Sequence, residues 1–150
     1  MTRIQGSLMQ ASGRFSNTGD AQVGRYLLRT VTTTAIPVEM FVDGGAGTVR
    51  LILPDDSTWS FRVMVTAHRT DADDGHAGYE LKGVIYRKSG AATTSIQGSI
   101  IKSVIAESNP PWDINITADT TYGALKLVAT GQSGKTIRWV ALVETVEITN

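Results

Sequence analysis

Hydrophobic and polar residues alternate along most of this chain with a period of two. Between residues 59 and 69 every second position is apolar: Trp59, Phe61, Val63, Val65 and Ala67. The residues between them are mostly polar, as Arg62 and His68 are. Successive side chains of a strand point to opposite faces, so this alternation predicts a β-strand with one face in a core.

The same alternation recurs in "AGYELKGVIYRK", "WDINITA" and "KTIRWVALVETVEI". Further candidate strands are "GRYLLRTVTT", "VEMFV", "TVRLIL", "TSIQGSIIKSVIA" and "GALKLVAT", with turn signals such as "PDDS" between them. No segment keeps a helical period over three turns, although "IKSVIAES" could form one short helical turn. Many short strands with regular turns predict an all-β fold, an antiparallel β-sandwich or barrel, with a jelly-roll-like sandwich favoured. The residues expected in its core are Trp59, Phe61, Trp112 and Trp139.

The first part of the chain has a different composition. From Met1 to about Gln22 it consists mainly of Ser, Gly, Gln, Asn and Thr, with few apolar residues. Such a segment buries too little apolar surface to fold alone. We therefore predict an extended N-terminal arm over residues 1–22 and a β-sandwich domain over residues 23–150. A frayed terminus is the alternative.

Composition and charge exclude several classes of function. The chain has 150 residues, which suits one domain, and its formal net charge is zero. Without a basic field we expect no binding to nucleic acid or to an anionic membrane surface. The absence of cysteine excludes disulfides, thiolate catalysis and cysteine metal sites.

The stretch "ATGQSGKT", residues 129–136, has the spacing of a phosphate-binding loop. Such a loop leads into a helix whose first amides hold the phosphates. The residues that follow are β-branched and alternating, which predicts a strand instead. The sequence therefore indicates a hairpin turn between "LKLVAT" and "KTIRWVALV".

Other candidate chemistry is weak. The loop "RTDADDGHAG" gathers Asp71, Asp73 and Asp74, faintly like a calcium loop, but an ordinary solvated loop is favoured. His68 and His76 have no further soft ligands near them in sequence and do not specify a zinc site. No nucleophile elbow is present. We therefore assign no catalytic, cofactor-binding or metal residues, and predict that the chain is not an enzyme.

The arrangement of tryptophans, turns and strand ends from Gly24 to Thr149 resembles a module of tailed-phage virion proteins. The resemblance rests on "RYLLRTVTTTAIPVEMFVDG", on "RLILPDDSTWSFRVMVTAHRTDADDGHAGYELKGVIYR" and on "WDINITADTTYGALKLVATGQSGKTIRWVALVETVEIT". The "TDAD" loop and the "GKTIRWVA" strand are part of it. Such modules are similar to trimeric heads of tail fibres. A compact β-domain behind an arm is similar to capsid decoration, or cement, proteins.

The resemblance implies a capsid decoration protein as the first expectation. It would be a homotrimer on the capsid exterior of the virion, with the major capsid protein as partner. The arm would grip the capsid through Arg3, Ile4, Leu8, Met9 and Phe15. An arm that orders on binding can wrap a large surface, and three arms on one trimer would add avidity.

The alternative expectation is a receptor-binding tip or a short tail or head fibre. Such a protein would use the loops "DADDGH" and "SNPPW" to contact a glycan or protein of the bacterial surface. A glycan hydrolase on the virion is less favoured, because no catalytic constellation is visible in the sequence.

Overall fold

The alternating segments form two antiparallel sheets in the computed structural model, which describes residues 7–109 and 111–150. Within these residues there is no α-helix, and in particular none long and apolar enough to cross a membrane. The all-β prediction is confirmed. The elements in chain order are β1 (Ser7–Gln10), β2 (Ala21–Thr32), β3 (Val38–Glu39), β4 (Leu51–Ile52), β5 (Ser57–Arg69), β6 (His76–Arg87), a 3-10 helix (Ala91–Thr93), β7 (Ser95–Glu107), β8 (Asp113–Asp119), β9 (Ala124–Thr130) and β10 (Ile137–Thr149).

The larger sheet has six strands in the order β1-β2-β10-β5-β6-β7. In the smaller sheet β9 is central: β8 pairs along its whole length, while β3 and β4 pair with its two ends. Every one of these pairings is antiparallel. The predicted antiparallel β-sandwich is therefore confirmed.

The core lies between the two sheets, where alternation places the apolar side chains. Trp59, Phe61, Trp112 and Trp139 all lie in it, and none is more than 4% exposed. Near the end where β5 finishes and β10 begins, Trp139 packs against Tyr79 and Trp112, with ring centroids 6.4 and 6.1 Å away. Near the other end, Trp59 stacks on Tyr26.

Strand β7 is the edge of the larger sheet and is extended throughout, so the possible helical turn at "IKSVIAES" is wrong. Its apolar residues Ile101, Val104 and Ile105 are 63%, 54% and 58% exposed. Helical spacing and the spacing of a strand exposed on both faces are hard to separate over so few residues. Pairing with β6 decides in favour of the strand.

The "GQSG" turn does not close a hairpin, because β9 and β10 belong to different sheets. The turn carries the chain across the sandwich, with Gly134 at a φ of +75°. Lys135 donates to the side-chain oxygen of Asn109 at 2.8 Å. The predicted hairpin is corrected, while the predicted strand after Thr136 is β10.

The segment predicted as an arm begins, within the described residues, with β1, which pairs with β2 of the same chain. Met9 packs against the core, whereas Leu8 and Phe15 are 64% and 79% exposed. Arg3 and Ile4 lie outside the described residues. After β1, the carboxylate of Asp20 accepts the backbone N–H groups of residues 15–17 at 2.6 to 3.1 Å. Capsid binding by this segment stays a prediction.

Candidate binding cleft

A cleft of about 770 Å³ opens at the end of the sandwich where β5 begins and β10 ends. Four parts of the chain meet there: residues 7–26, the segment 48–54 that leads into β5, Trp59 of β5 and its pairing partner Glu147 of β10. The lining residues are Ser7, Met9, Thr18, Gly19, Gln22, Tyr26, Thr48, Val49, Arg50, Ile52, Leu53, Pro54, Trp59 and Glu147.

An aromatic pair forms the base of this cleft. The rings of Tyr26 and Trp59 are stacked, with centroids 6.3 Å apart and planes 13° apart. They come from strands on either side of β10. Gly24 makes room beside them, because a Cβ there would lie 2.7 Å from the Tyr26 ring and 2.8 Å from Glu147. The close packing at this base therefore requires a glycine.

Glu147 places a carboxylate at the base, although it is only 3% exposed. A buried carboxylate is costly unless hydrogen bonds satisfy it. Glu147 accepts them from Tyr26 Oη at 2.9 Å, Gln22 Nε2 at 2.6 Å and Thr145 Oγ1 at 2.5 Å. Burial raises the pKa of Tyr26 well above its usual value, and the charge of Glu147 raises it further. Tyr26 therefore stays a hydrogen-bond donor at any ordinary pH.

Two buried polar atoms of the cleft residues find no partner among the described residues: the donor Nε1 of Trp59 and the acceptor Oε1 of Gln22. The orientation of the Gln22 amide follows from its contact with Glu147, because only its nitrogen can donate to a carboxylate. Buried polar groups are normally paired with protein or with ordered water. Both atoms are almost completely shielded from solvent, so they are buried polar atoms and not groups exposed in the cleft.

Arg50 is the only basic residue that lines the cleft within the described part of the chain. Its guanidinium lies 4.0 Å from the ring centre of Tyr122 and 4.9 Å from that of Phe41. Arg50 Nε is 3.1 Å from Glu39 and 3.9 Å from Asp119. These contacts hold the side chain in place and give its charge two anionic neighbours.

The loops that the sequence singled out gather at the opposite end of the sandwich. Arg69 contacts Asp71 and Asp74 at 2.7 Å each, and its hydrogen bond lowers the pKa of Asp71. Two of the three carboxylates in "DADD" therefore already have a cationic partner. In the described residues no three His, Asp or Glu side chains gather as a metal site requires. His68 and His76 lie opposite each other on β5 and β6.

Residues of the cleft were missed in the sequence because they are distant along the chain. Tyr26 and Glu147 are 121 positions apart, and Gln22 and Glu147 are 125 apart. The sequence held one indication of the cleft. Glu147 follows Val143 and Thr145 at every second position of β10, so a period of two places its carboxylate on the core side of the strand.

No protein-family model matches the sequence, and no curated protein matches it. Among solved structures, the chain is similar to the tailspike protein gp49 of Acinetobacter baumannii bacteriophage Fri1, a capsular polysaccharide depolymerase, with a TM-score of 0.46 and 14% identity over 95% of this chain. It is also similar to the tailspike protein of Acinetobacter phage vB_ApiP_P1, with a TM-score of 0.42 and 18% identity over 100% of this chain. The chain spans only 20% and 25% of the lengths of those two proteins.

These comparisons correct one prediction. The missing catalytic motif led to the expectation that the chain is not an enzyme, whereas one structurally similar protein, the gp49 tailspike, is a depolymerase. A site assembled from residues that are distant along a chain leaves no local motif, so the lack of a motif does not support that expectation. The expectation is therefore withdrawn.

Proposed function

We propose that this chain is a module of a phage virion that contacts the bacterial surface, as a receptor-binding tip or short fibre does. The resemblance of residues 24–149 to tailed-phage virion modules supports the virion part of this proposal. Capsid decoration was the first expectation from the sequence, but the tailspikes of two Acinetobacter phages are among the solved structures similar to the chain. The proposal therefore follows the alternative.

The observation that carries the proposal is the chemistry of the cleft. A sugar residue presents apolar C–H surface together with hydroxyl groups. The cleft offers apolar walls from Met9, Val49 and Ile52, and polar side chains of Gln22 and Thr48 in its lining. Binding sites for small molecules commonly combine mostly apolar walls with a few fixed polar groups. We propose that a glycan of the bacterial surface binds there.

The test is to fill part of the cleft with a large side chain and to measure binding to the host bacterium. Thr48 is exposed at the cleft, and Thr48→Trp would occupy part of its volume. Thr117→Trp is the matched control, because Thr117 is exposed on β8 in the smaller sheet. We expect the wild type and Thr117→Trp to bind cells and purified surface polysaccharide of the bacterium that the phage infects. We expect Thr48→Trp to bind on the order of tenfold more weakly.

Equal binding by all three proteins would show that the cleft is not the site. The length of the polysaccharide after incubation should be measured in the same experiment, because one similar protein is a depolymerase. The copy number in purified virions tests the location: a few to a few dozen copies support an appendage. A ratio near one copy per capsid subunit would instead support capsid decoration, the first expectation.

The homotrimer also remains a proposal. The free edge of β7, with Ile101, Val104 and Ile105 exposed, supports association of some kind, because proteins seldom leave a long apolar edge strand uncovered. Light scattering on the purified chain gives the mass directly. A monomer at every concentration would contradict the trimer.

A further inference from the structure

We infer that the cleft discriminates against acidic sugars. This inference rests on the proposed function, since it specifies which glycans the same cleft would bind. It comes from the charges of the side chains that line the cleft.

The charges of the cleft disfavour an anion. Glu147 is the only acidic residue lining it within the described part of the chain, and its carboxylate lies at the base. Arg50 is the one basic residue in the same lining, but Glu39 and Asp119 already hold its guanidinium. A uronic acid entering the cleft would therefore meet a negative charge without an uncommitted cation to balance it. Like charges in a partly desolvated site cost affinity.

The test uses the surface polysaccharide of the host and simple sugars as competitors. Glucose, galactose and N-acetylglucosamine are the neutral probes, and glucuronic acid is the acidic probe. We expect the neutral sugars to compete for binding on the order of tenfold better than glucuronic acid. We also expect reduction of any uronic acid carboxyls in the polysaccharide to preserve or strengthen binding.

Glu147→Gln tests the origin of the discrimination. The variant removes the negative charge and keeps an oxygen that can accept hydrogen bonds. The ratio between the affinities for galactose and for glucuronic acid should fall toward one in this variant, whereas a merely structural role for Glu147 would weaken both equally. If the variant does not fold, the salt dependence of binding to the wild-type protein tests the same effect of charge. Binding of the neutral competitors should be insensitive to salt, and binding of glucuronic acid should strengthen as salt screens the repulsion.

The outcomes separate this inference from the proposed function. Polysaccharide binding that Thr48→Trp weakens, but that glucuronic acid competes for as well as the neutral sugars do, overturns the inference and leaves the proposed function standing. A wild type that binds neither cells nor polysaccharide overturns both.

Discussion

At the scale of single residues, the three tryptophans differ in what their indole nitrogens contact. Trp139 Nε1 donates to Thr32 Oγ1 at 2.9 Å, deep in the core. The nitrogens of Trp59 and Trp112 find no partner among the described residues. Trp112 lies at the opposite end of the sandwich from Trp59, beneath Gly75.

Replacing Thr32 with Val should therefore destabilise the protein measurably. The substitution keeps the shape of the side chain but removes the acceptor, so a buried indole N–H loses its only hydrogen bond among the described residues. A buried unsatisfied donor costs about 1–3 kcal/mol. Thr117→Val is the control, since Thr117 is exposed and its change should stay within about 0.5 kcal/mol. Urea unfolding of both variants gives the comparison, and equal stabilities would contradict the prediction.

Asp20 should make stability depend on acid pH. Backbone N–H groups, that of Ser16 first, lower the pKa of its carboxyl in the folded protein. The lowered pKa means that the stabilisation is complete above the unfolded pKa of about 4 and is lost as pH falls through the folded pKa. Asp20→Asn should thus be less stable than the wild type at neutral pH. The gap should shrink on acidification below about pH 4, as followed by thermal unfolding. A gap that does not change with pH would refute this account.

At the scale of elements, the sequence was informative wherever a strand has one buried face. The alternation in β5, β6 and β10 predicted those strands, because their inward positions are almost all apolar. Strands β3 and β4 are only two residues long, too short for any period, and pairing with β9 defines them. The cleft could not be predicted, since Gln22, Tyr26 and Glu147 become neighbours only when β10 lies beside β2.

Strand β1 shows which face of a short edge element contributes to stability. Met9 packs on the core and lines the cleft, whereas the neighbouring Leu8 is mostly exposed. Met9→Ser should cost about 1–2 kcal/mol, below the value for full burial of such a side chain. Leu8→Ser, on the opposite face of the same strand, should stay within about 0.5 kcal/mol.

The same pair of variants tests the two roles given to the N-terminal segment. If residues 1–22 grip a capsid, Leu8→Ser should weaken capsid binding without affecting stability. If β1 serves mainly to complete the cleft, Met9→Ser should weaken glycan binding and Leu8→Ser should not. Chemical unfolding and the two binding assays, performed on both proteins, distinguish these results.

At the scale of the whole molecule, a ligand in the cleft should stabilise the fold, because the cleft joins the N-terminal segment, the segment before β5 and the end of β10. A ligand that binds only the folded state at about 100 times its Kd adds about 2.7 kcal/mol. We expect the surface polysaccharide to raise the Tm of the wild type and of Thr117→Trp. Thr48→Trp should gain much less at the same concentration. A similar rise in all three proteins would place the ligand elsewhere.

The central position of β10 governs the order in which the protein can fold during synthesis. This strand separates β2 from β5 in the larger sheet, and its residue Trp139 contacts Thr32 from 107 positions away. Until the ribosome has delivered β10, β2 and β5 each present an unpaired edge, and the base of the cleft lacks its carboxylate. Long-range strand pairing of this kind is slow and exposes apolar edges to other chains. A nascent chain on a crowded polysome therefore avoids association with its neighbours only if the larger sheet closes late or if a chaperone covers these edges until β10 emerges.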